Sequence, residues 1–462
     1  MTGRPGKEID VKPERVGEPN VDERLAQYPL LDALRDRRSR RFGVGMKIES
    51  GPFAYESRHE PLPLTEGEEA ALAFAACGVT GYALADLSYG RGQGGSMLAG
   101  LLGRSVASPD AINTVSVFVT NDEATYLLKR PQDFEPGELP ALVDLARRGE
   151  LVELYRKSRI KTSEGRAAPP VEPTYNFNIN RWALYAPGSS YLLPVEETTA
   201  VYINAMLEAF DEEMAVFVLD ERANFRPAGI SRFARSKGGH LNNDTASGRL
   251  ATVQAIESSL TEACAIEQGM VLQNVALMSQ ALGLGGYPNF ARHEFGWFEA
   301  LGFRMGGMPA SQYLGANRLI STTLRLLGRD RTVPYPLGLE RDGEVLLKPY
   351  CPPYYPSMEV AVHDFVRRKF GPQGVFRGGA RISGWQDPEA KTAQIPAPSE
   401  AAVEATVAYC EYIYDRYGRF PAYSAPFRTV LGHQATHVDE DFYDRFYRPE
   451  ALSETQRRHA DH

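Results

Sequence analysis

Apolar residues in this chain recur at helical spacing in some stretches and alternate or bunch in others, so the pattern alone sorts much of it into helices and strands. In DERLAQYPLLDALRDRRS, Leu25, Leu30, Leu31 and Leu34 fall at roughly helical spacing, with Pro29 an early break. TEGEEAALAFAACG predicts a second helix, with Thr65 as N-cap, acids in the first turn and Gly78 as the stop. EETTAVYINAMLEAFDEE predicts another. The longest expected helix runs from about Leu260 to Leu282: Ser259 and Glu262 form a capping box, Ile266, Met270, Val271, Leu277, Met278 and Leu282 supply a broad apolar stripe, and Gly283 ends it. NTVSVFVTND reads as a strand closed by Asn121-Asp122, and MAVFVLDE as a second strand. Strands between long helices imply an α/β or α+β sandwich.

The rest refines this outline. Residues 1–24 are polar and rich in Pro and Gly, and are expected to form a flexible arm. Residues 88–105 are Gly-rich, and residues 131–180 carry scattered Pro and charge, which predicts a helical insertion with a loop. The last hundred residues are expected to form tyrosine-dense helices. Hydrophobic residues at 43% and charged residues at 24% are globular proportions. A net charge of −8 gives no support to broad binding of nucleic acid or membrane surfaces, and no apolar run predicts a membrane span. Cys77, Cys264, Cys351 and Cys410 lie far apart and are expected to be reduced, mostly buried thiols of a cytoplasmic protein.

Against this acidic background RDRRSRRFG, residues 35–43, is dense in arginine. Guanidinium forks suit phosphate and carboxylate oxygens, and Ser39 adds a short hydroxyl among them. The plainer reading is a solvated basic helix end, paired with Asp32, Asp36 or Glu23. In the C-terminal region His433 and His437 stand four apart beside Asp439 and Glu440; on a helix they would share a face, but ordinary packing is expected and no metal. Nearby tyrosines and Arg419 are candidates for lining a substrate cavity.

LRDRRSRRFG resembles the R-R-S-x-R-x-F signature of the nitroreductase-like flavoproteins, with Phe42 one place early. Further segments are similar to that family in the same order: PLPLTEGEEAALAFAACG, SPDAINTVSVFVTND, AIEQGMVLQNVALMSQALGLGGYPNF and VPYPLGLERDGEVLLKPY. The resemblance implies an α+β fold, a three-layer α/β/α sandwich around a mixed or antiparallel sheet with a long central helix. The core would span residues 25–362, and residues 363–462 would be a helical extension packed on it. It also implies a homodimer, non-covalent FMN, and an oxidoreductase acting with NAD(P)H or on a small organic substrate; a flavin binder without turnover is the alternative. By the same resemblance Arg37, Arg38, Ser39 and Arg41 would grip the phosphate and ribityl chain, with Arg40 a substitute. Asn113 would bond the flavin edge, and Gly285, Gly286, Tyr287 and Pro288 would flank the ring, bringing a backbone N–H to it. The family's Gln-Pro-Trp after the Asn is replaced here by Thr114-Val115-Ser116, and Lys348 is a poor counterpart of its closing basic residue.

Overall fold

The computed structural model describes residues 25–82, 102–108, 112–135, 137–170, 181–290, 294–377 and 384–460. The expected N-terminal arm and most of the Gly-rich stretch lie outside them. Among the described residues helices and strands are mixed, 43% and 22%, in an α+β fold. The helices that position the site are α1 (Leu30–Asp36), α2 (Glu66–Cys77), α3 (Leu139–Arg148), α4 (Leu151–Ser158), α5 (Thr198–Ala209), α6 (Val253–Leu282), α7 (Met358–Phe370), α8 (Glu400–Tyr417), α9 (Glu440–Phe446) and α10 (Glu454–Ala460). The strands of the main sheet are β1 (Val115–Thr120), β2 (Ala124–Leu128), β3 (Arg159–Glu164), β4 (Ser190–Glu197), β5 (Gly285–Phe290), β6 (Phe427–Arg428) and β7 (Leu431–Thr436).

Helix α2 starts as its sequence dictates. Thr65 Oγ1 accepts from the Glu68 N–H at 3.2 Å while Glu68 Oε2 accepts from the Thr65 N–H at 2.7 Å, so two orphan donors are satisfied reciprocally. Helix α6 departs from expectation. It begins at Val253, capped by Thr252, and runs through Ser259 without a break. Val253 and Glu257 are buried, so packing extends the helix past the local capping signal. Its C-terminus is as expected, with Gly283 left-handed at φ 83° and its N–H donating to the Gln280 and Ser279 carbonyls.

The sheet order is β5-β7-β4-β1-β2-β3, with β6 also on β4, and every pairing in it is antiparallel. Pro194 lies inside β4, opposite Val117 of β1. It is tolerated because its other neighbour changes there from β7 to β6, and Thr429 Oγ1 donates to the Pro194 carbonyl at 2.8 Å. The strand foreseen in MAVFVLDE joins a separate small sheet (residues 217–220, 226–227 and 250–252), not this one.

Side-chain alternation divides the core. Val117, Val119 and Leu192 face α2 and α6, whereas Phe118, Tyr191 and Leu193 face Trp297, Phe298 and Phe303. The second face is therefore covered by a short helix (Glu294–Ala300) and a three-stranded sheet (303–309, 332–341, 344–347), in place of the helical layer an α/β/α sandwich would put there. A separate apolar core joins α5, α7 and α8. The segment expected as a helical extension does more than pack on the core: its strand β7 lies between β5 and β4 inside the main sheet. Residues 131–170 do form helices, α3 and α4, followed by β3. All four cysteines are free and buried. Among the described residues no helix is long and apolar enough to cross a membrane.

Candidate functional site

The arginine turn follows α1 directly, and the fold gives each cation a different neighbour. Arg35 pairs with Asp32 at 3.0 Å and Asp36 at 2.9 Å, so the nearby acids neutralise that residue and not those that follow. Arg40 points inward and is buried. Its Nη1 donates to Gln280 Oε1 of α6 at 2.8 Å, its Nε to the Ala451 carbonyl at 2.7 Å, and its Nη2 to the Asp36 carbonyl at 3.3 Å. It braces the turn through these three bonds, although it is also among the residues that line the cleft on the other side of the turn. Arg38 bends back to the Arg35 and Arg37 carbonyls, and Arg41 lies over the Tyr287 ring at 5.5 Å. No carboxylate pairs with Arg37, Arg38 or Arg41 among the described residues.

The Arg40 carbonyl accepts from the Gly286 N–H at 2.9 Å, which lays the arginine turn along the free edge of β5. Glycine is required there. A Cβ on Gly285 would lie 2.8 Å from the Arg40 carbonyl, and one on Gly286 would run into His433 Nε2. The two segments expected to share a ligand are thus in contact within one chain. The same contact occupies the outward N–H of Gly286, and Pro288, the next outward position, has none. The backbone donor expected for a flavin ring is not free at either place. Tyr287 is buried, its hydroxyl donating to Gln434 Oε1 at 3.4 Å, and burial pushes its pKa up to about 12. His433, on β7, is 1% exposed and is pushed down to about 3 by burial and then by Arg37, so it is a neutral imidazole packed under the glycines.

On the other side of the turn opens a cleft of about 510 Å³. Arg38, Ser39 and Arg41 line one side, and Phe53, Trp182, Tyr443 and Tyr447 line much of the rest. Phe42 is its floor, stacked on Phe442 at 4.1 Å and tilted against Trp182 at 5.7 Å. Tyr443 accepts from the Phe42 N–H at 3.2 Å, and burial pushes its hydroxyl up to about 12, so it stays protonated. Exposed cations beside flat aromatic faces make a surface suited to an anionic ligand with a planar ring. The aromatic wall was not foreseen; apart from Phe53, its residues lie about 140 and 400 positions from the arginines, and tyrosine density was the only hint.

The other expected residues lie elsewhere. Asn113 sits at φ 58°, its N–H donating to Ser108 Oγ and its carbonyl accepting from Gln132. Pro288 stands in the row of His433, Leu192 and Val119, and Asn113 lies six residues before Val119, about 20 Å along the sheet. His433 and His437 are on a strand and its exit, not on a helix face, and they do not converge. Arg419 is buried, its guanidinium donating to the Ala422 and Tyr313 carbonyls, and it is not among the residues that line this cleft. Lys348 lies over Tyr355 at 4.6 Å and belongs to a different region.

No protein-family model matches the chain, and no curated protein does. Among solved structures it is similar to a provisionally assigned nitroreductase from Ralstonia eutropha JMP134, at 12% identity over 63% of this chain and 79% of that one, with a TM-score of 0.28. So loose a superposition bears on neither cofactor nor reaction.

Proposed function

We propose that this protein is a flavin-binding oxidoreductase that takes FMN in the cleft beside the arginine turn. The observation that supports this most is the union of Arg38 and Arg41, which no carboxylate pairs among the described residues, and the Ser39 hydroxyl with an aromatic-walled cavity of about 510 Å³, within the range of small-molecule sites. Arg38, Ser39 and Arg41 would hold the phosphate and ribityl oxygens, with Arg37 adding positive potential from the His433 side. Trp182 and Tyr443 would lie against the ring, with Tyr443 as a protonated donor. FMN, when bound, supplies hydride and one-electron chemistry, with NAD(P)H or a small organic molecule as the other reactant. The chain's own part is binding, orientation and the exclusion of water.

One observation favours a second reading, a flavin holder without turnover: the outward N–H of Gly286 is already bonded and Pro288 has none, so neither position offers a backbone donor to stabilise a reduced ring. A second copy of the chain is the expected partner in either case.

The test is the colour and ligand of the purified protein. A yellow protein that releases FMN on denaturation and bleaches with NADH or NADPH supports the enzyme, and yellow without bleaching supports the holder or a dehydrogenase of another substrate. The double variant Arg38→Ala/Ser39→Ala should weaken FMN by about tenfold or more, whereas Arg235→Ala/Lys237→Ala should leave it unchanged. A colourless protein that ignores added FMN, or equal effects of the two variants, would remove the proposal.

A further inference from the structure

Away from the cleft, three elements distant in sequence bring two imidazoles and a carboxylate together. Glu68 lies in the first turn of α2, His437 follows β7, and His459 is in α10, the last described helix. One ligating atom from each lies within 4.8 Å of the others. His459 Nε2 is 3.0 Å from Glu68 Oε1 and 3.0 Å from His437 Nδ1, while His437 Nε2 is 3.7 Å from Glu68 Oε2. Glu68 is held in place from behind: the N–H and Oγ1 of Thr65 donate to its Oε2 at 2.7 and 2.8 Å, leaving Oε1 turned to His459. A second observation points to a missing ligand. His437 is 8% exposed, and its buried Nε2 makes no well-formed hydrogen bond, although it faces Glu68 Oε2 at 3.7 Å and the ring is close to the Pro63 backbone. A buried ring nitrogen without a well-formed bond is unfavourable unless something fills the place.

We propose that Glu68, His437 and His459 form a binding site for a divalent transition-metal ion of the zinc type. Two imidazoles and one carboxylate are a donor set that zinc accepts, with a water in the fourth position. Zinc–ligand bonds of about 2.0–2.2 Å at tetrahedral angles place neighbouring donors about 3.3–3.5 Å apart. His459 Nε2 lies 3.0 Å from Glu68 Oε1 and His437 Nε2 3.7 Å from Glu68 Oε2, on either side of that spacing, so side-chain shifts that bring both imidazoles to the carboxylate would seat the ion. The site has a mechanical consequence. His459 Cβ packs against Gly283, where an added Cβ would be only 2.7 Å from it. An ion there would pin α10 to the end of α6, to α2 and to the strand next to β5.

Untagged full-length chain, stripped with chelator and dialysed against Zn²⁺ alone, should take up one equivalent by mass-spectrometric metal analysis. Co²⁺ in its place should give the visible absorption of a tetrahedral ion. Hydrogen exchange in residues 454–460 should slow when Zn²⁺ is added. His459→Ala, on a peripheral helix, and Glu68→Gln, which keeps a side-chain oxygen for the Thr65 cap, should each weaken Zn²⁺ by about 100-fold. A stripped wild-type chain that takes up no Zn²⁺ and no Co²⁺ overturns the site, and so does Zn²⁺ binding by both variants within about tenfold of wild type.

Discussion

Arg40 and His433 are both basic and both buried, and the fold treats them in opposite ways. Arg40 keeps its charge because two carbonyls and the Gln280 amide oxygen receive its N–H groups. His433 has only Ser279 Oγ at 3.4 Å beside its Nε2, a buried Nδ1 without a partner, and Arg37 nearby. Its folded pKa of about 3 lies below the ordinary value of about 6.5. Between those values the unfolded chain binds a proton that the folded chain refuses, so the stability is present above about pH 6.5 and lost as pH falls toward 3. The slope is up to about 1.4 kcal/mol per pH unit. His433→Gln removes the titration. Urea midpoints at pH 7.5 and 4.5 should therefore show the wild type losing about 2 kcal/mol more than the variant; parallel losses would mean that His433 is not held neutral.

At the scale of elements, legibility followed how far local signals agreed with burial. α2 and β1 could be read because a capping box and a β-branched run coincide with buried positions. α6 was misread at its start because buried Val253 and Glu257 outweigh Ser259 and Glu262. β7 was not legible as a strand. Its sequence, LGHQAT, is largely polar, yet His433, Gln434 and Thr436 are buried. Gln434 resolves this by donating to the Ala183 carbonyl at 2.7 Å and to Ser189 Oγ at 3.1 Å, contacts that no local pattern announces. The site was legible in the same uneven way. Arginine density located the turn, but only the fold shows that Arg40 is buried and braces it while Arg38 and Arg41 stay exposed beside the cleft. The position of β7 also carries a prediction. A chain ending at residue 430 loses the strand that joins β5 to the sheet and should show no cooperative thermal transition by circular dichroism. A chain ending at residue 453 keeps β7 and should still melt cooperatively, at a lower temperature. Cooperative melting of the shorter chain would mean that the C-terminal segment is an accessory after all.

At the scale of the whole molecule, α6 and its neighbour α1 carry exposed apolar residues, as does the segment from Leu314 to Leu327. Ile266 is 51% exposed and Met270 39%, and Gly269 between them has nothing within 4 Å of where a Cβ would stand. Leu30, Leu31 and Leu34 of α1, which packs on α6, are also exposed. Scattered exposed apolar residues need no explanation, but a run along one helix and onto the next is the kind of face that partners cover. A two-fold axis across α6 would bury it isologously with no residue from any other protein. Light scattering behind size exclusion should then give twice the 51.1 kDa chain mass, and Ile266→Asp/Met270→Asp should give the single-chain mass with an unchanged circular dichroism spectrum. The same pair of samples tells where the flavin grip resides. The cleft from Arg38 to Tyr443 is built within one chain, so a monomeric variant is expected to keep FMN affinity within a few-fold of the dimer. Loss of FMN on dissociation would transfer part of the grip to the second copy, whose nearest candidate contribution is this apolar face.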